Sequence, residues 1–255
     1  MSIVALVERD LNRFWKYKWW LAGIIAINLG DLLIMALVFG NLVRREYIPN
    51  YMQFAAPGIA IMALFISAFS IGRETAQEFR RGYNQYLLSL PFSDWQLAVG
   101  KMLAGTVRGL IYVTPFLMLV AILVGLPPQL DLISIILAVT LTSASMSSLG
   151  LALAPLVRKL SIYVTLRSLI YFIVFYFSTI FYPEEALKQL AQANSAYSMV
   201  YYIAKVNPAS IAVEIIRTAF KVPQSAEPNI PAFIIGNLTL TILGAIVYVK
   251  ALRRG

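Results

Sequence analysis

Residues 73–101 read RETAQEFRRGYNQYLLSLPFSDWQLAVGK, and the fold turns on what flanks them. The interval 47–72 before them holds no Asp, Glu, Lys or Arg, and the next such interval, 109–130, opens shortly after them. A polar, arginine-bearing segment between two stretches suited to lipid reads as an element resting on one face of a membrane. Drawn as a helix at about 100° per residue, Glu74, Glu78, Arg81 and Gln85 fall on one side and Phe79, Tyr83, Tyr86, Leu87 and Leu90 on the other. The spacing predicts a helix lying flat on the bilayer, placed to pass force from a soluble partner into the spans.

The rest of the chain supports that frame. Its 255 residues are 60% hydrophobic and 13% charged, against roughly 45–50% apolar and about 25% charged in an ordinary soluble domain. A helical span needs about 20 predominantly apolar residues. Intervals free of Asp, Glu, Lys and Arg also occur at 132–157, 168–183 and 228–249, and 19–43 is interrupted only by Asp31. The expectation is an all-α membrane protein forming one transmembrane domain over 1–255. Its six spans are 19–43, 56–72, 102–124, 131–157, 161–182 and 231–249. The amino terminus has no short apolar core followed by a small-residue cleavage site, so the first span is expected to stay in the mature protein.

Charge placement sets the expected orientation. With a cytoplasmic amino terminus, Arg9, Arg13, Lys16, Lys18, Arg73, Arg80, Arg81, Lys101, Arg158, Lys159, Lys250, Arg253 and Arg254 lie inside. Only Arg44, Arg45, Lys188, Lys205, Arg217 and Lys221 lie outside. The positive-inside rule then puts both termini of this multi-pass protein in the cytoplasm. The net charge of +9 follows membrane topology and points to lipid headgroups as partners rather than nucleic acid. Residues 1–18 read as an interfacial amphipathic helix, with Ile3, Val4, Val7, Leu11, Phe14 and Trp15 opposite Arg9, Asn12 and Lys16. Asp10 intrudes on its apolar face and is expected to pair with Arg13. Trp19 and Trp20 mark the headgroup level.

Pro57 is placed near the opening of the second span, and Pro115 in the middle of the third marks an expected bend. In TSASMSSLGLALAP of span four, Ser143 and Ser147, Ala144 and Ser148, and Gly150 and Ala154 suit close helix packing. The 48 residues 183–230 are too long for a structureless loop. Pro183 before Glu184 and Glu185 reads as one helix start. Asn207 and Pro208 read as the N-cap and N1 of another, in which Glu214 reaches Arg217. The apolar character of the segment predicts two short re-entrant outer helices before span six.

Candidate chemistry is sparse. The chain has no cysteine and no histidine, which removes thiolate nucleophiles, disulfides and the usual zinc ligands. The Gly100–Lys101 pair is followed by Met102, and Trp95 stands where a Walker A loop needs its first glycine. No catalytic or metal site is expected. Charges inside a bilayer are expensive, about 2.5–3.5 kcal/mol each near its centre, which singles out Asp31, Arg108 and Arg167. They read either as a polar pathway lining or interhelical pair, or as a solvated acid and two snorkelling arginines.

The segment with Arg-Arg-Gly at 80–82, then Leu-Ser-Leu-Pro at 88–91, then Gly-Lys at the mouth of span three, resembles the permease subunits of ABC-2 type transporters. STIFYP at 178–183 and NPASIAVEIIR at 207–217 resemble the outer segment of that family, although a glycine is common where Thr179 stands. The resemblance implies a coupling helix at 74–90, within the cytoplasmic segment 73–101. Glu74, Glu78, Arg80, Arg81 and Gly82 would contact a separate ABC ATPase subunit, which binds the ATP and Mg; this chain carries no cofactor. It further implies a homodimer, or a heterodimer with a related permease, acting as an exporter. An intramembrane enzyme or a non-transporting scaffold or assembly factor is the alternative.

Overall fold

The computed structural model describes residues 3–16, 18–43, 48–157 and 159–253. Arg44, Arg45, Arg158 and Arg254, used in the charge comparison, lie outside them, as do the side chains of Lys18 and Trp20. Among the described residues the protein is all helical. The elements are α1 (Ile3–Lys16), α2 (Lys18–Leu42), α3 (Tyr51–Arg80), α4 (Tyr83–Ser89), α5 (Asp94–Val124), α6 (Gln129–Leu153), α7 (Leu160–Tyr176), α8 (Glu184–Ala193), α9 (Ser198–Val206), α10 (Pro208–Ala219) and α11 (Ile230–Leu252).

Five of these, α2, α3, α5, α6 and α11, are long and apolar enough to cross a bilayer, and the bent pair α9–α10, meeting at 67°, would make a sixth if taken as one span. The expected fifth span, 161–182, is the 17-residue α7. At 1.5 Å per residue it reaches only about 25 Å of the roughly 30 Å core, because the chain breaks into turns from Phe177 onward.

Helix α3 is the axis of the bundle. Within its apolar window 94% of residues are buried, against 12% for α2 and 22% for α11. It starts at Tyr51, earlier than expected, because the Asn50 side chain accepts from the amides of Met52 and Gln53. Pro57 consequently lies inside the helix. Helix α5 likewise continues through Pro115 to Val124.

Apolar contact provides little drive for helix association in lipid, so close backbone approach and polar links carry more of the packing. The small-residue face of α6 supplies both. A Cβ on Gly72 of α3 would lie 2.1 Å from the carbonyl oxygen of Gly150, so only glycine permits that crossing. Ser143 and Ser147 donate to the carbonyls of Thr106 and Met102 at 2.8 and 2.9 Å, and Ser148 donates to that of Thr241 at 2.7 Å. Three neighbours, α3, α5 and α11, are thus fastened to one helix.

The outer segment holds three α-helices, α8, α9 and α10, with a 3-10 turn at Ser195–Tyr197 leading into α9, where two helices were expected. Helix α10 enters the bundle: Ala209 to Arg217 are all buried.

Candidate functional site

The expected flat helix over 74–90 is two elements. Helix α3 runs without interruption to Arg80, and Gly82, at φ +69°, redirects the chain into α4. A left-handed residue is routine only for glycine, and an amphipathic period that runs across such a break does not reveal it. Ser93 and Gln96 then form a reciprocal capping box that starts α5.

The break sorts the expected contact residues into two groups. Glu74 and Glu78 remain on α3 and turn into the protein. Arg108 Nη1 and Nη2 grip Glu74 at 2.8 and 3.0 Å, a bidentate pair. Lys101 Nζ donates to Glu78 Oε2 at 2.5 Å and lies 3.8 Å from Asp10 Oδ2. Arg13 reaches Glu78 at 3.2 Å and Glu74 at 3.8 Å. Asp10 pairs with Arg9 at 2.7 Å rather than with Arg13, and its carbonyl accepts from Arg108. The Arg108 guanidinium also sits 4.9 Å from the Phe14 ring centroid. Lys101 and Arg108 are 2% and 0% exposed, so this network joins α1, α3 and α5 where little water is available to dissipate it.

Helix α1 meets that network through a face different from the expected one. Leu6, Asp10 and Phe14 are buried at four-residue intervals, while Val4 and Trp15 face outward. The intruding acid is the centre of the docked face because Lys101 and Arg108 await it on α5. Burial alone would raise the Asp10 carboxyl, but Lys101 and Arg9 outweigh it and hold it below the usual carboxylate range.

Arg80, Arg81 and Gly82 are exposed. So are Tyr83 and Tyr86, whose rings meet edge to face at 5.5 Å. Leu87 anchors α4, buried in a cluster with Leu6, Leu97, Tyr248 and Leu252. The outward face is thus an arginine pair beside a tyrosine pair on a helix fixed from below.

Asp31 and Arg167 line a cleft of about 660 Å³ between α2, α3 and α7, together with Asn28, Arg73, Ser168 and Tyr171. Arg108 is not in it; its pairing with Glu74 places it beside α1. The two arginines expected to act alike therefore have different surroundings, one interhelical and one facing a cleft.

At the far end, Asn207 Oδ1 accepts from Ala209 N at 3.0 Å, with Pro208 in the first turn of α10. Asn207 Nδ2 donates to the carbonyls of Val174 and Phe177, closing the end of α7. Arg217 pairs with Glu214 at 2.7 Å, donates to the carbonyls of Phe54, Thr179 and Ile180, and lies 3.6 Å over the Phe54 ring. Glu214 also accepts from the amide of Ala226. Sequence reasoning found this local pair but missed Asp10, Arg13 and Lys101 as network members. The four-residue step from Glu74 to Glu78 and the seven-residue step from Lys101 to Arg108 were the available signals, since each places two charges on one helix face.

A family model described as ABC-2 type transporter matches residues 1–220. No curated protein matches the chain.

Proposed function

The chain belongs to the ABC-2 type transporter family and is a multi-pass membrane permease of an ABC-type transporter; from that premise we propose that it forms the substrate pathway of an ATP-driven exporter whose ATPase subunits dock on α4. Two copies, or this chain and a related permease, enclose the path with α2 and α7 turned toward the seam and the enclosed α3 behind them. The end bearing α1 and α4 faces the cytoplasm, in keeping with its basic residues, and the chain sits in the cell membrane.

The observation that carries the docking assignment is the exposed Arg80–Arg81–Tyr83–Tyr86 surface. Tyrosine and arginine are enriched among residues that dominate binding energy, and Leu87 fixes their helix to the bundle. Glu74 and Glu78 act one step further in, since their carboxylates are engaged within the chain. A push on α4 reaches the continuous α3, and the charge network shares it with α1 and α5. ATP binding drives the change only if the closed ATPase pair prefers one arrangement of the bundle.

Co-purification with the ABC ATPase partner tests this. Arg80→Glu combined with Arg81→Glu is expected to weaken association about tenfold or more, and Tyr86→Ala to weaken it less. Association and transport that survive the double reversal would remove α4 as the docking element.

A further inference from the structure

We infer that the cleft between α2, α3 and α7 binds an amphiphile with an anionic head, its phosphate or carboxylate held by Arg73 and Arg167 and its apolar chain laid along Ile24, Ile27, Phe65 and Val164. The inference rests on the pathway reading and adds the chemical class of the ligand.

Two observations support it. The cleft, at about 660 Å³, falls in the usual range for small-molecule sites, about 300–1,000 Å³. Its two arginines, Arg73 exposed and Arg167 partly buried, lack the carboxylate partner against which the buried Lys101, Arg108 and Arg217 each sit. Among the described residues, neither Arg73 nor Arg167 has an acidic group within 4.0 Å.

The positions of the charges orient the ligand. Arg73 lies near the α4 end of α3, and Arg167 lies in the second turn of α7. Asp31 lies deeper along α2, and Tyr171 one turn beyond Arg167. An anion is attracted by the arginine pair, whose planar forks suit phosphate and carboxylate oxygens. The head therefore stays at the α4 end while the chain follows the apolar wall. Leu33 and Ile34 of α2 and Leu169 and Phe172 of α7 are exposed on either side, so the mouth of the cleft lies on the apolar face that the proposed seam uses, and an amphiphile enters it from there.

The test is direct binding to the purified full chain in detergent, without ATPase, using a fluorescent dodecyl phosphate, the matching uncharged dodecyl alcohol and inorganic phosphate as probes. The alkyl phosphate should bind about tenfold or more tightly than the alcohol, and Arg73→Gln with Arg167→Gln should erase that preference. Val164→Trp, which crowds the apolar wall and leaves both charges, should weaken alkyl phosphate and alcohol alike; inorganic phosphate should compete with neither. Equal binding of phosphate and alcohol, or a preference unchanged in the double variant, would overturn the proposal. Thermal unfolding of each variant shows whether it is folded. An anionic lipid co-purifying with the chain and displaced by dodecyl phosphate identifies a resident lipid, whereas dodecyl phosphate stimulation of the ATPase complex identifies cargo; either supports the proposal. ATPase association without alkyl phosphate binding defeats this inference and leaves the transport reading standing, and the reverse result does the opposite.

Discussion

Lys101 shows what a charge needs in order to sit inside this protein. At 2% exposure it is bracketed by Glu78 and Asp10, and removing one partner leaves carboxylates buried without compensation. Lys101→Met is expected to destabilise the purified chain by about 3–5 kcal/mol, read as a lower thermal unfolding midpoint in detergent. Adding Glu78→Gln and Asp10→Asn should restore part of the loss. The Asp10 carboxyl is held below its ordinary range in the folded state. Its contribution is therefore fully present above about pH 4 and fades as the pH falls below that value. Hydrogen exchange in α1, corrected for its intrinsic pH dependence, should rise below about pH 4 in the wild type; in Asp10→Asn it should already be raised at pH 7. Local chemistry at this scale was legible: Asn207, Pro208, Glu214 and Arg217 lie within one short helix, where residue spacing fixes who meets whom. The Glu74–Arg108 pair was not legible, since its members are 34 positions apart on different helices, and the period of one helix says nothing about the face its neighbour presents.

Gly82 is the hinge point between elements. Nothing lies within 4 Å of a Cβ built there, yet its φ is +69°, so substitution acts through backbone conformation and not through a clash. Gly82→Val is expected to disfavour the turn by about 1–2 kcal/mol, to realign α4 with α3 and to reduce ATPase co-purification. Gly82→Asn, which tolerates the same backbone region, should retain most of it. The glycine was readable in the sequence as a bend. The new direction of α4 was not, because a single left-handed residue resets the helix phase while the pattern of apolar residues continues unchanged. Span positions were clear from charge-free intervals, but their ends were set by caps such as Asn50 and Ser93, whose bonds depend on how the adjoining loop folds.

At the scale of the whole molecule, burial is distributed unevenly. Helix α3 is enclosed, while α2 leaves Ile27, Leu33 and Leu37 outside and α7 leaves Leu169 and Phe172. If these faces form the seam between two copies, Leu33→Cys should give a disulfide-linked product of twice the chain mass under mild oxidation in native membranes. Ile122→Cys, exposed on α5, should not. The absence of any native cysteine makes each such variant a clean single-site probe. The glycine crossing between α3 and α6 gives this unevenness a mechanical meaning. With α5 and α11 also fastened to α6 through serine hydroxyls, the four helices make a stiff chassis, and α2 and α7 ride on it as outriggers. A shove delivered at one end of such a chassis loses little to internal slack, and the gap that widens is the one beside the outriggers, where the cargo would pass.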